Sequence, residues 1–352
     1  MGISAPGRWA PILGSVVVTG LGIGLVASLP RFVGASWAAI DASLVSVPAG
    51  ALAGLVLLWF AGLLAHAPVL TAAMRGLTVR QALVLNLSGS AVSNVLPFGG
   101  PAGMGLGYAM ARSWGFRADR FASYTVSTNL WNALGKFVMG VAVLGVAATL
   151  DSRLPSGVGA ALAGASAFMA VTAAVTVGTF RTERSTATVG RLLDSASRRV
   201  RPASAPNAPS TWLLHSRREL LGAIRSGWRR MSLGVASYLV LQGALLFACL
   251  AAVDAGAPVS VVAIAFAIER LISLAPITPG AAGVAELGTV AALHTFGVDP
   301  VSATAGVLLY RILMFAVEIP VGGALALTWL HRSRRTAPVV AEPPARVPEL
   351  VA

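Results

Sequence analysis

The chain predicts an all-α polytopic membrane protein with about six full transmembrane helices and two re-entrant helical hairpins, arranged as inverted repeats. Three observations carry this expectation. First, 56% of the residues are hydrophobic and 11% charged, and the mean hydropathy is +0.78. A soluble chain carries about a quarter charged residues and lacks repeated uncharged runs of about 20. Second, two Gly/Pro-broken apolar stretches occupy matching positions in the two halves: Asn94-Val95-Leu96-Pro97-Phe98-Gly99-Gly100-Pro101-Ala102-Gly103 and Leu274-Ala275-Pro276-Ile277-Thr278-Pro279-Gly280-Ala281-Ala282-Gly283. Irregular backbone at membrane depth is costly unless it is buried in protein or lines a cavity, so paired breaks mark a transport path. Third, the arginines gather in alternate connections between apolar runs.

The first repeat is expected over 12–150, with spans 12–29 and 48–70, a re-entrant segment 82–111 and a span 121–150 that contains Lys136. Run 12–29 is long for a signal-peptide core, and Pro30-Arg31 is a poor cleavage context, so it reads as a retained span. The second repeat covers 157–330: spans 157–180 and 231–253, a re-entrant segment 258–296 carrying Glu269, Arg270 and Glu286, and a span 301–330 carrying Arg311 and Glu318. An Arg-rich cytoplasmic loop, 181–230, interrupts it, and 331–352 reads as a disordered cytoplasmic tail. The loop has a Pro/Ala/Ser linker at 202–210, followed by Leu213, Leu220, Ile224 and Trp228 at helical spacing opposite Arg217, Arg218, Arg225 and Arg229. That pattern fits a short helix lying on an anionic inner leaflet; equally, the arginines act only to hold the loop inside.

Basic residues fix the orientation. With a cytoplasmic N-terminus and both broken segments returning to the side they entered, Arg75, Arg80, Arg112, Arg117, Arg120, the 181–230 loop and Arg332, Arg334 and Arg335 all fall inside. Only Arg31 and Arg153 fall outside, among Asp41, Asp151, Asp254 and Asp299. Full crossing by the broken segments would carry Arg112, Arg117 and Arg120 outside, so charge itself favours hairpins. The expected location is a cell membrane, crossed several times, with both termini cytoplasmic.

The net charge of +13 therefore belongs to membrane topology and not to nucleic acid, which calls for basic and aromatic residues interleaved on a soluble surface. Cys249 is the single cysteine, which excludes an intrachain disulfide, and His66, His215, His294 and His331 are scattered without metal-ligand spacing. No Gly-x-x-x-x-Gly-Lys-Ser/Thr motif is present, and no nucleophile–base pair is visible. No cofactor and no enzymatic activity are expected.

Candidate site residues come from the breaks and from the ionisable groups inside spans. Helices restarting near Ala102 and near Ala281 would leave N–H groups facing the interior, which suits an anion. The substrate-facing set is Asn94, Pro97, Gly99, Gly100, Ala102, Gly103, Asn132, Lys136, Arg270, Thr278, Pro279, Gly280, Gly283 and Arg311. Glu269, Glu286 and Glu318 are expected to exchange protons or to form ion pairs, since each buried charge costs several kcal/mol unless paired or hydrated. Plainer readings stand beside these: the breaks as packing kinks, the charges as a closed set of ion pairs, and Asn86, Ser90, Ser93 and Asn94 as interhelical hydrogen bonders. Trp37, Trp59, Trp114, Trp212, Trp228 and Trp329 fall mostly near expected membrane edges.

In these residues the chain resembles the lysylphosphatidylglycerol synthase transmembrane-region family, also called flippase-like membrane proteins. The resemblance runs through Leu96-Pro97-Phe98-Gly99-Gly100, Tyr108 to Phe116, Trp131-Asn132 with Lys136, Pro276 to Gly288, Leu308-Leu309-Tyr310-Arg311 and Pro320. Ala281-Ala282 stands where the family usually has Gly-Gly or Gly-Leu, and no soluble aminoacyl-transferase domain follows Leu330. The resemblance implies a stand-alone membrane domain that translocates or binds lipid. The leading expectation is a flippase for an amphipathic, phosphate-bearing lipid or lipid-linked precursor, with anionic or polyprenyl-phosphate lipids as partners. An ion-coupled carrier of small solutes and a non-transporting scaffold for an envelope-biosynthesis enzyme are the alternatives.

Overall fold

The computed structural model describes residues 10–95, 99–150, 158–200, 208–274 and 281–335, and all secondary structure among them is helical. In chain order the helices are α1 (Ala10–Val33), α2 (Trp37–Val45), α3 (Ala49–Ala73), α4 (Val79–Val95), α5 (Gly99–Ser113), α6 (Ala118–Leu150), α7 (Val158–Phe180), α8 (Glu183–Val200), α9 (Ala208–Ala252), α10 (Val259–Ile272), α11 (Val284–Thr295), α12 (Pro300–Arg311) and, after a π-helical segment Ile312–Val317, α13 (Glu318–Arg335).

Local chemistry sets the helix starts. Ser36 caps α2 by accepting from the Ala39 N–H at 3.2 Å, and Asp299 caps α12 by accepting from the Ser302 N–H at 2.9 Å. Thr78 and Gln81 form a reciprocal capping box at the head of α4, with bonds of 3.2 and 3.1 Å. Pro48 and Pro258 stand at the heads of α3 and α10, where a missing N–H costs nothing.

Four helices are long and apolar enough to cross a membrane: Ala49–Ala73, Ala118–Thr149, Ser216–Ala252 and Pro300–Ser333. The pair Gly20–Phe32 and Trp37–Val45 passes as a fifth span, bent by 96°. Leu57, Leu233, Val240 and Leu327 are each more than 60% exposed on the outer faces of these helices. Large aliphatic side chains left in that position belong against lipid.

The core is built on α3 and α9, which run antiparallel. Glycines let them approach: Gly62 lies against Tyr238 and Leu241, Gly234 against Pro68 and Val69, and Gly227 against Ala72. Helix α6 runs alongside α9 in the same direction, with Gly135 against Val235 and the Trp131 indole donating to the Ser232 hydroxyl at 3.1 Å.

Each Gly/Pro break lies between two antiparallel helices. In the first hairpin, Gly99 and Gly103 of α5 press on Ser93 and Gly89 of α4, and Gly107 meets Leu85. In the second, Gly288 of α11 meets Ile268 and Ile272 of α10. The packing is crossed between halves: Gly322 of α13 sits on the Leu87 backbone of α4, and Gly140 of α6 sits on Leu271 of α10. The first arm of each hairpin thus rests on a long helix of the other half.

Charge is segregated along the long axis. Arg75, Arg80, Arg112 and Arg117 flank the ends of α3, α4, α5 and α6, and Arg120 reaches Glu219 of α9 at 3.7 Å. The Trp329 indole donates to the Ser113 hydroxyl at 3.0 Å, which brings the end of α13 to the same side. At the opposite side, Gly306 of α12 packs on Leu250 of α9, next to the Asp254 and Asp299 turns.

The structure departs from the sequence expectations at several places. The 181–230 loop is largely helical: α8 packs along α9, fixed by Arg217 donating to the Phe180 carbonyl at 3.0 Å and pairing with Glu183 at 3.7 Å. Helix α9 is continuous from Ala208, so the 213–228 stretch continues a membrane-length helix and is not a separate short helix. Its apolar stripe is used inward, with Leu220 and Ala223 buried. The linker residues 202–207 and the tail from 336 lie outside the described residues, while 331–335 continue α13. The 30–47 connection contains α2. Of the tryptophans expected mostly near membrane edges, Trp59 is instead buried in the core at 7% exposure.

Candidate functional site

Five ionisable residues expected to matter converge in the interior where α10, α11, α12 and α6 meet. Glu269 and Arg270 are neighbours near the end of α10, and their side chains pair with each other. Arg270 also donates to Gln242 Oε1 of α9 at 3.0 Å and to the Tyr310 hydroxyl of α12 at 3.1 Å. Its guanidinium lies 5.0 Å from the centre of the Phe266 ring, which covers its remaining face.

Arg311 joins the second hairpin to this pair. Its Nε donates to Glu286 Oε1 at 2.6 Å, its Nη1 lies 3.5 Å from Glu269 Oε1, and the Phe315 ring centre is 4.4 Å away. Glu286 holds the turn before α11 as well, accepting from the Gly283 N–H at 2.7 Å. The Gly283 amide, expected to face a substrate, is therefore taken by the helix's own third residue. Helix α11 starts at Val284 and α5 at Gly99, rather than near Ala281 and Ala102.

All four residues of this network are buried, and every guanidinium has a carboxylate partner. A closed arrangement of that kind holds helices in register, because removing one member strands a buried charge. Lys136 is different. It reaches in from α6, half-buried, and donates to the Ser273 hydroxyl at 3.2 Å, while Ser273 donates to the Arg270 carbonyl at 2.7 Å. Among the described residues no carboxylate lies within 4.0 Å of Lys136. Lys136, Arg270 and Arg311 stand against Glu269 and Glu286, which leaves one positive charge beside the residue that leads into the Pro276–Gly280 break.

The remaining expected residues are distributed differently. Asn132 pairs with His66 Nε2 at 3.0 Å, and His66 stacks on Tyr238 at 4.5 Å. Asn94 donates to Ser90 within its own helix at 3.3 Å. Gly99 and Gly103 are buried at the α4–α5 contact, Ala102 is half-buried and Gly100 faces outward. Gly99 and Gly103 serve helix approach there. Pro97, Thr278, Pro279 and Gly280 lie outside the described residues. Glu318, expected with the other two carboxylates to exchange protons or form ion pairs, stands apart from the network on α13, beside a narrow cleft lined by Trp59, Leu63, Tyr238, Gln242 and Met314.

Gln242, Tyr238, His66 and Ser273 join these residues without having been among the expected site residues. A signal was present for two of them. Gln242 is the single amide in span 231–253, and His66 is the single ionisable group in 48–70. A lone polar group in an apolar span needs a partner.

Neither a curated protein nor a solved structure matches the chain. A family model does match, that of the lysylphosphatidylglycerol synthase TM region, over residues 12–322. The match takes in both Gly/Pro breaks, the charge network and Lys136, and with them most of the chain. This multi-pass membrane protein belongs to the lysylphosphatidylglycerol synthase TM region family.

Proposed function

We propose that this protein moves an amphipathic, phosphate-bearing lipid or lipid-linked precursor between the leaflets of a cell membrane, without catalysing a reaction. The observation that carries the reading is Lys136: a cation inside the helix bundle, held by Ser273 and by no carboxylate among the described residues, next to the second Gly/Pro break. A membrane protein keeps such a charge where an anion or water visits it. Arg270 and Arg311 support that position from within the closed network and do not bind the headgroup themselves. The tail stays in lipid while the headgroup passes.

The architecture fits this role. Arms α4, α5, α10 and α11 have 17, 15, 14 and 12 residues, or about 26, 22, 21 and 18 Å at 1.5 Å per residue, shorter than a hydrocarbon core of about 30 Å. They serve as two re-entrant hairpins that enter from opposite faces, related as inverted repeats by the crossed packing of α4 on α13 and α10 on α6. The arginine-rich end faces the cytoplasm together with both termini.

The test is reconstitution into vesicles with fluorescent phosphatidylglycerol and a fluorescent polyprenyl phosphate, quenched from outside, comparing wild type with Lys136→Gln and with the surface control Arg225→Gln. Losing a charged hydrogen bond to the headgroup should slow movement about 10- to 100-fold in Lys136→Gln and leave the control unchanged. Undiminished movement in Lys136→Gln removes the site. Absence of movement of either lipid by wild type removes the flippase reading in favour of a solute carrier or a scaffold.

A further inference from the structure

Three glutamates are buried among the described residues, and the structure treats them in two ways. Glu269 and Glu286 are each held by arginine. Glu318 is buried to 8% exposure, yet among the described residues no Lys, Arg or His nitrogen lies within 4.0 Å of it. A carboxylate at membrane depth is costly as a lone anion unless it is paired or hydrated.

The groups that face it are neutral. From α9 come Tyr238 and Gln242, from α3 the apolar Trp59 and Leu63, and from the π-helical segment Met314. From α4, the hydroxyl of Ser90 lies beside the carboxyl group. His66 of α3 is screened from the cleft by the Tyr238 ring on which it stacks, and Arg311 on α12 is turned to Glu269 and Glu286. Hydroxyl and amide groups serve the neutral acid and the anion alike, so the charge on Glu318 follows the entry of water into the cleft.

Its position couples that charge to the hairpin. Glu318 is the first residue after the π-helical segment Ile312–Val317, a kind of insertion that often marks functional sites in helices. One turn further on, Gly322 packs directly on the Leu87 backbone and Ala91 of α4. A change in hydration at Glu318 therefore acts on the joint between α13 and the first hairpin.

We propose that Glu318 is the proton-binding carboxylate of this protein, neutral while the cleft among α3, α9 and α13 is closed and ionised when water enters it. Its use in driving lipid movement rests on the proposed function; proton binding itself does not. The proton comes from water on one side of the membrane and returns to water on the other, and only the carboxyl O–H bond forms and breaks.

Two measurements test this. Infrared spectra of the purified full-length protein at neutral pH should show a carboxylic-acid C=O stretch in wild type and in Glu269→Gln that is lost in Glu318→Gln; a band unchanged in Glu318→Gln overturns the proposal. In vesicles carrying fluorescent phosphatidylglycerol, reversing a one-unit pH gradient should change the wild-type initial rate by up to about tenfold, the ratio of proton activities. Glu318→Gln should move the lipid at the same rate under both gradients. A wild-type rate indifferent to the gradient, or a variant as responsive as wild type, also overturns it. If wild type moves no lipid at all, the flippase reading falls, and the infrared band still decides the proton site.

Discussion

Ala281 has φ +55°, in the left-handed region, immediately before the turn that Gly283 (φ +84°) completes. A β-carbon there costs about 1–2 kcal/mol, partly offset because alanine restricts the unfolded chain by about 0.4–1 kcal/mol relative to glycine. Ala281→Gly should therefore stabilise the protein by about 0.5–1 kcal/mol, read as a higher thermal unfolding midpoint in detergent; a lower midpoint would show that the buried methyl group matters more than the strain. Gly283 has no such freedom, because a β-carbon on it would meet Leu25 and the Gly22 carbonyl of α1. At this scale the charged residues were legible in the sequence, since an ionisable side chain in an apolar span is conspicuous. Their pairing was not. Glu269, Glu286 and Glu318 look alike in the sequence, and only the approach of Arg270 and Arg311 separates two bound carboxylates from the third.

Among elements, the two Gly/Pro breaks between helices were legible in the sequence, and the helical content of the Arg-rich loop was not. Proline and glycine interrupt a helix for local reasons, so the breaks near 97 and 279 could be read directly. The role of the glycines could not. Gly103 sits where a β-carbon would collide with the Gly89 carbonyl and the Ser93 hydroxyl, whereas Gly100 has nothing within 4 Å. Gly103→Val should destabilise the first hairpin by about 1–3 kcal/mol, while Gly100→Ala stays within about 0.5 kcal/mol, both measured by thermal unfolding. Equal effects at the two positions would refute the close-packed hairpin. Helix α9 was misjudged for a different reason. Arginines at 217, 218, 225 and 229 suggested a surface element, but arginine is a good helix former, the glycines between Ala208 and Ala252 are isolated ones that a helix tolerates, and the one proline there, Pro209, lies in the first turn.

For the whole molecule, the arginine-rich and aspartate-bearing ends make orientation measurable. Cys249 is buried, so a Cys249→Ser background is free of native thiols. In it, Ser226→Cys lies at the arginine-rich end of α9 and Ser260→Cys at the opposite end, on α10, both exposed. An impermeant maleimide added to intact cells should label Ser260→Cys and spare Ser226→Cys. The reverse pattern would invert the proposed topology.

The paired breaks, the apolar runs and the segregation of arginine were set by the sequence alone, because each follows from composition and spacing: a proline ends a helix wherever it lies, and a charge is costly in lipid whatever surrounds it. Partnership was decided only by the tertiary structure. Crossed packing of each hairpin on the other half brings Arg270, Arg311, Glu269 and Glu286 into one closed network, occupies the Gly283 amide with Glu286, and leaves Lys136 beside the network and Glu318 in a separate cleft, neither with an ion-pair partner among the described residues. Charges far apart in the sequence neutralise one another only where folding brings them within reach, and no local pattern specifies that distance.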